Sequence, residues 1–469
     1  MAIQPQRNRN ESCEVYFLSM PYGETVDAAD MANARDRRYR TQQAMLAKHH
    51  APVISFTMNI AGPVKATPLI RRGFALGLSR LRFRLANLHA RILQEAHYTD
   101  KTGFECILCV DANAAALKEI VVRIEEDEPI GRLFDMDVMD GGGEKLERQT
   151  PRKCLLCGGD AAVCGRSRTH DARSLFIEAE RILHAYFTDK TAEDIVASAV
   201  RALLYELLTT PKPGLVDRAN CGAHSDMDTF TFAASISVLH PYFARCARKG
   251  LAEAEADRLF AQLREPGLEA ERAMLAATGG VNTHKGAIFA LGILSAAAGA
   301  LLAKGQAATP EALSAACKAI TGDTLFAEMN CLQKESVATA GEKMLLETGM
   351  TGARGEAMRG YPTALSGVAV LEAALSRGQS LNDSGVEAFM AILAAAEDSN
   401  FFKRASWERW MEWKAQIQAM RGGAVENAAK MDTAFIQENI SPGGSADLLA
   451  VAFFLHFSRQ LDPVPARME

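Results

Sequence analysis

Residues 287–303 read AIFALGILSAAAGALLA, with no charged residue. A run of this kind either crosses a membrane or forms a helix buried on all sides. It is just short of a comfortable span and rich in Ala and Gly. It lies between the polar Thr283-His284-Lys285 and Lys304. We read it as the buried helix of an all-helical domain, with no membrane involved. Outward from it, from about residue 191 onward, Ala, Leu, Met and Glu recur at helical spacing, and the short loops carry Gly and Pro. The pattern predicts a large all-α helical-bundle domain over 189–469.

Upstream the character alternates. A polar, Arg-rich helix is expected over 26–49. A β-rich stretch at 52–60 ends at the turn Ala61-Gly62-Pro63, and a helix follows over about 68–93. Further strands are expected at 104–110, 119–124 and 132–139, and a helix at 172–187. Mixed elements predict an α/β (α+β) domain over 1–188, so the chain is multidomain.

The 469 residues are too many for one ordinary core. The formal net charge of -5 argues against nucleic-acid binding. Ten Cys are scattered along the chain, and the first residues are polar (Gln4, Gln6, Arg7, Asn8, Arg9) with no apolar segment. Free thiols in a reducing, cytoplasmic setting are expected.

In the first domain the strongest chemical signal is Gly131-Arg132-Leu133-Phe134-Asp135-Met136-Asp137. On a strand, Asp135 and Asp137 point to one face, and two adjacent carboxylates suit a divalent cation that bridges phosphate oxygens. Candidate phosphate holders are Arg37 and Arg38 on the first helix, Lys65 after the Gly62-Pro63 turn, and Arg132. Cys154, Cys157, Cys164 and His170 have ligand-like spacing for zinc. That spacing matches no recognisable zinc pattern, however, and Arg152, Lys153, Arg166, Arg168 and Arg173 make the segment basic. The sequence therefore favours thiols or an anion-binding flap over zinc.

In the second domain, PKPGLVDRANCGAHSDMD (211–228) concentrates Gly, Pro, His, Asp and cations beyond what packing needs. Lys212 and Arg218 supply positive charge, and Asp226 and Asp228 supply metal-ligand or acid/base groups. The glycines of Thr278–Gly286 open a helix where backbone amides suit an anion. Lys285 is placed for a phosphate, and Asn282 and His284 for a sugar or a proton. Three more polar, Gly-bearing loops carry Arg354 and Glu356, then Glu397–Asn400 with Arg404, then Ser441–Asp447. Together they predict one polar cavity at a common end of the bundle.

These runs, with GGVNTHKGAIFALGIL, GARGEA, GYPTAL and SPGGSADLLA, resemble the triphosphoribosyl-dephospho-CoA synthase family over about 190–460. RDRRYRTQQAML, VISFTMNIAGPVK, GRLFDMDV and RKCLLCGGDAAVCGRSRTH resemble the citrate lyase phosphoribosyl-dephospho-CoA transferase over about 14–175. Departures from the family patterns fall at Ala61, Tyr361, Ser399 and Ala405-Ser406.

The resemblance implies a bifunctional enzyme with a nucleotidyltransferase-like first domain. Its substrates would be ATP and 3′-dephospho-CoA, with release of adenine. The product's phosphoribosyl-dephospho-CoA group would then pass to a serine of the citrate lyase acyl carrier subunit as pyrophosphate leaves. On that reading Asp135 and Asp137, and separately Asp226 and Asp228, hold Mg²⁺. Arg37, Arg38, Lys65, Arg132, Lys212, Arg218, Asn282, Lys285 and Arg354 hold substrate, and His284 or Glu356 moves protons. Two other readings are a sister pair serving malonate decarboxylase and a non-catalytic zinc- and nucleotide-binding protein.

Overall fold

The computed structural model describes residues 23–252, 255–331, 340–420 and 423–464. The polar stretch Gln4–Arg9 lies outside them. The chain forms two compact units, one running to Phe187 and the other spanning Thr188–Val464.

The first unit opens with α1 (Ala28–His49), started by a reciprocal cap in which Asp27 and Asp30 each accept the other's backbone N–H. Then come β1 (Val53–Met58), α2 (Pro68–Asn87), β2 (Arg91–Asp100), β3 (Gly103–Asp111) and α3 (Ala114–Glu126). A 3₁₀ turn at Pro129–Leu133 leads into β4 (Phe134–Met139), followed by α4 (Ala161–Ser167) and α5 (Ala172–Leu208). The four strands make one antiparallel sheet in the order β2-β3-β1-β4, which is the α+β arrangement. Alternation along β4 sends Phe134, Met136 and Val138 into the main core with α2 and α3, where Phe56 stacks on Phe74 at 4.7 Å. The opposite face packs Val53, Ile107 and Cys109 against Met45 and Leu46 of α1.

Three sequence expectations are corrected. Residues 119–124 are helical, not a strand. Asn113 caps α3 by accepting the Ala116 N–H at 3.1 Å, and Leu117, Val121 and Ile124 fall on one buried helical face, which outweighs the β-branched run. The helix expected to reach residue 93 ends at Asn87, and edge strand β2 follows, its sparse apolar side chains (Leu93, Ala96, Tyr98) leaning on the α1 side. The helix expected to stop at 187 runs unbroken to Leu208. Residues 188–194 hold no Gly or Pro, and Lys190 pairs with Asp194 one turn on at 2.6 Å.

The second unit is all helical among its described residues. After α5 come α6 (Thr229–Ala252), α7 (Ala256–Ala277), α8 (Lys285–Ala303), α9 (Pro310–Asn330) and α10 (Ala340–Thr348). Then follow α11 (Gly352–Met358), α12 (Pro362–Ser376), α13 (Leu381–Ala395), α14 (Ser399–Arg404), α15 (Trp407–Ala419), α16 (Ala424–Gln437) and α17 (Gly443–Ser458). The apolar run is α8. It is long and apolar enough to cross a membrane, yet 72% of its apolar window is buried inside the unit.

Small residues let α6 and α8 touch backbone to backbone. A Cβ on Gly250 of α6 would sit 1.9 Å from the Ala296 carbonyl oxygen. One on Gly299 of α8 would sit 2.4 Å from that of Ala247. Neither backbone can yield cheaply in a close-packed core. Gly250→Ala is therefore expected to destabilise the helical unit by about 1–3 kcal/mol, read as a lower denaturation midpoint. An unchanged midpoint would mean the two helices are less tightly apposed.

Candidate active sites

In the helical unit, polar chemistry converges on a buried cluster. Lys212 follows α5 and is 1% exposed; its Nζ donates to Glu206 Oε1, itself buried on α5. An ammonium at that depth is tolerable only with its counter-charge in contact. Asp217 fixes the turn around Lys212: its Oδ2 accepts the Lys212 N–H at 2.9 Å and its Oδ1 that of Ala219 at 2.7 Å. Asp432 on α16 clamps the same loop by accepting from Gly214 N at 2.9 Å and Asn220 Nδ2 at 2.8 Å.

Two more acids meet there. Asp398 caps α14 through Asn400 N and Phe401 N, and its Oδ2 accepts both the N–H and the Oγ–H of Ser445, at 2.7 and 2.9 Å. Asp447, in the first turns of α17, accepts the Ala287 N–H. It presses so closely on Gly286 that a Cβ there would lie 1.9 Å from its Oδ2. Burial raises the carboxyl pKa of Glu206, Asp398 and Asp447. Asp447 is pushed up further by the charges of Glu206 and Asp398.

His284, the cap residue of α8, is fully enclosed. Its Nδ1 lies 2.7 Å from Ser235 Oγ, and its Nε2 is buried without a partner. Burial, then Lys212, lowers its pKa to about 3, so the ring is neutral at physiological pH. Glu356 is also buried and pushed up by burial, and it accepts from Thr363 Oγ at 2.8 Å.

Other sequence candidates stand apart from this cluster. Asp228 uses Oδ1 to accept from Thr231 N and Oγ as the cap of α6, while Asp226 is largely exposed, 3.7 Å from His224. Lys285 pairs with Glu271 at 2.8 Å, Arg354 with Glu342 at 3.1 Å, and Arg218 donates to Asn382 Oδ1 at 2.8 Å. Asn282 accepts the Lys285 N–H. Arg404 donates to Ala223 O and Asn439 Oδ1, both at 3.0 Å, and His224 meets Ser441 Oγ at 2.7 Å. Those contacts close the loops around the cluster.

In the first unit, Asp135 and Asp137 share the α1 face of the sheet, opposite Thr57 and Ser55 of β1. Glu105 lies across from Thr57 on β3, buried, with Arg38 on it and Arg37 bonded to Asp100 at 2.7 Å. Each aspartate is part-exposed and already faces a cation: Arg152 lies 3.1 Å from Asp135 and Lys145 2.8 Å from Asp137. Lys65 donates to the Ile60 carbonyl.

Arg152 also pairs with Glu125 of α3, which accepts the Met136 N–H at 2.7 Å. Burial pushes Glu125 up to about 7 against the pull of Arg152, that N–H and Arg148. Beside them opens a cavity of about 940 Å³ lined by Arg132, Arg148, Arg152, Lys153, Arg168 and His170, among others. Arg132 is fixed by donating to the carbonyls of Lys153 and Cys154, at 3.0 and 2.7 Å.

Two family models divide the chain along the same lines. ATP:dephospho-CoA triphosphoribosyl transferase (CitG) matches residues 192–464, and apo-citrate lyase phosphoribosyl-dephospho-CoA transferase (CitX) matches 26–186. Protein CitXG of Leuconostoc mesenteroides subsp. cremoris is 31% identical over 92% of this chain and 97% of its own length. Protein CitXG of Haemophilus influenzae is 31% identical over 93% and 97%. This chain belongs to the CitXG family. A 2-(5''-triphosphoribosyl)-3'-dephosphocoenzyme-A synthase of Pectobacterium atrosepticum is 39% identical over 56% of this chain and 88% of its own.

The chain is thus a bifunctional transferase for the citrate lyase prosthetic group, with a CitX transferase unit followed by a CitG synthase unit. The malonate decarboxylase and non-catalytic readings fall away. In the CitG unit, sequence reading marked Lys212 and His284 but passed over Glu206, the one acid in the apolar helical run ALLYELL. In the CitX unit it passed over Glu125, which opens the acidic run EEDE and gave no signal of its own, and Glu105, the one acid in the apolar run FECILCV. A lone acid inside such a segment was the available signal.

Below the ordinary histidine value of 6.5 the unfolded His284 takes up a proton that the folded protein refuses until about pH 3. The CitG unit should therefore lose stability as pH falls below 6.5. Denaturation midpoints of the wild type should drop more steeply between pH 7.5 and 5.5 than those of His284→Gln. Parallel slopes would contradict a buried, neutral ring.

Proposed function

We propose that the buried acid cluster of the CitG unit is where the 2′-hydroxyl of 3′-dephospho-CoA displaces adenine from C1′ of the ATP ribose. The observation that carries this reading is the convergence of four polar stretches, 206–217, 284–287, 397–400 and 441–447, on one spot inside an otherwise apolar bundle. The C1′–N bond breaks, the O–C1′ bond forms, and the hydroxyl proton leaves with adenine. A carboxyl whose pKa is raised by burial suits the donor's role, which favours Asp447, with Glu356 as the second raised acid. The neutral His284 ring suits an acceptor. Lys285, Arg218 and Arg354, part-exposed around the cluster, are placed to exchange their present partners for phosphates, with Asn282 beside them and Asp226 as the accessible carboxylate.

In the CitX unit the polyanionic product would enter the basic cavity, its phosphates against Arg132, Arg148, Arg152 and Arg168. A serine oxygen of the citrate lyase acyl carrier subunit then attacks the α-phosphorus and pyrophosphate leaves. Asp135 and Asp137 fit Mg²⁺: they share a face, are part-exposed, and are balanced here by side-chain cations that a metal and its phosphates would replace. Bound there, Mg²⁺ would neutralise charge on the departing phosphates. Arg37 and Arg38 hold Glu105 on the same face, and Lys65 braces the turn after β1. Free thiols at every described cysteine agree with a reducing cytoplasm.

Incubation with ATP, 3′-dephospho-CoA and Mg²⁺ should yield adenine and triphosphoribosyl-dephospho-CoA by mass spectrometry, and added apo carrier should become labelled. Asp447→Asn should slow adenine release by about 100-fold or more while transfer of pre-made product persists. Asp135→Asn should do the reverse, with a loss of about 100-fold in transfer. If both variants impair both steps equally, the division of labour is wrong.

A further inference from the structure

Cys154, Cys157, Cys164 and His170 come together at the edge of the basic cavity. One ligand atom from each lies within 4.8 Å of every other, and the sulfurs of Cys157 and Cys164 are 3.5 Å apart. Thiolates on a tetrahedral zinc ion, each about 2.3 Å from it, are about 3.8 Å apart. Small side-chain rotations therefore complete the tetrahedron. Among the described residues this is the one group of three or more His, Cys, Asp or Glu donors close enough to share an ion.

The backbone is shaped for it. Cys154 N–H donates to Gly159 O at 2.6 Å and Gly158 N–H to Cys154 O at 3.1 Å, a tight knuckle with Gly158 at φ 73. The N–H groups of Leu156 and Cys157 point at the Cys154 sulfur. Asp160 caps α4 through Ala162 N and Val163 N, which brings Cys164 back over the knuckle. The Thr169 N–H bonds to Cys164 O and sets His170 beside it. His170 Nε2 is buried with no hydrogen-bond partner. A buried imidazole nitrogen without a partner is costly unless something binds it.

We propose that Cys154, Cys157, Cys164 and His170 bind one zinc ion whose role is to hold a wall of the basic cavity. All four protein ligands close the coordination sphere, so the ion is structural and leaves no position for substrate. The loop it ties carries Lys153 and Arg168, and its carbonyls at Lys153 and Cys154 fix Arg132. Loss of the metal frees that wall while the CitG unit keeps its own core. The wall-holding role rests on the cavity being the CitX site; the metal site does not.

The full-length protein, purified with reductant, should contain about one zinc per chain by elemental analysis, and Cys157→Ser and Cys164→Ser should each lose it. Cobalt(II) in place of zinc should give thiolate-to-metal charge-transfer absorption and the visible bands of a tetrahedral site. Stripping the metal should abolish transfer to the carrier and leave adenine release unchanged, with zinc restoring transfer. Zinc-free protein with no cobalt spectrum, or a Cys157–Cys164 disulfide in fully active protein, overturns the site. Intact transfer after stripping overturns the wall-holding role. A zinc-loaded protein that releases adenine but never modifies the carrier supports the site and defeats the transferase reading of the cavity.

Discussion

Glu206 and Lys212 face each other inside a helical unit where neither would stay charged alone. Removing one partner from such a pair leaves the other uncompensated, at a cost of about 3–5 kcal/mol. The pair therefore fixes where the loop after α5 must turn. Once Lys212 is held, Asp217 can take its backbone N–H and Asp432 can clamp the next turn. Burial, and after it the ammonium, keeps His284 unprotonated. A set of acids that would repel in isolation is held together by one cation and by backbone N–H groups.

The apolar scaffold sets the tolerance of that arrangement. Glycines at the α6–α8 contact let two helices approach to backbone distance, and α8 carries His284 and Lys285 at its start. The packing of α8 against α6 thus places the helix end, and Ser235 of α6 holds the His284 ring there. The same holds at the other end of the cluster, where Gly286 admits the Asp447 carboxylate because it has no side chain.

The CitX unit solves its charge problem differently. Its carboxylates, two buried and two part-exposed, each have a guanidinium or ammonium beside them: Arg38 on Glu105, Arg152 between Glu125 and Asp135, Lys145 on Asp137. Arg152 is the connecting element, since it touches the acid row of the sheet and lines the basic cavity. Planar guanidinium groups suit this double use, because their fork of donors can hold a carboxylate and still meet a phosphate.

The sequence by itself determined the division into an α+β part and an all-α part, because hydrophobic periodicity is local and survives in the one-dimensional pattern. It also determined that the DxD pair shares a face, since strand alternation admits no other result, and that α8 is apolar on every side. Fold details failed where two local signals competed. The β-branched run at 119–124 hid a helix whose cap and buried spacing were also present, and edge strand β2 had too few apolar residues to announce itself. Only the tertiary structure decided which polar residues meet. Glu206 and Asp447 are brought together by packing between distant segments, and sequence spacing carries no record of that distance. The depth of Lys212 and its pairing with Glu206 were not legible in the sequence, nor was the use of Asp228 Oδ1 as a helix cap. Burial and hydrogen-bond partnership are properties of three-dimensional neighbours, and they set both the charge state and the availability of each group.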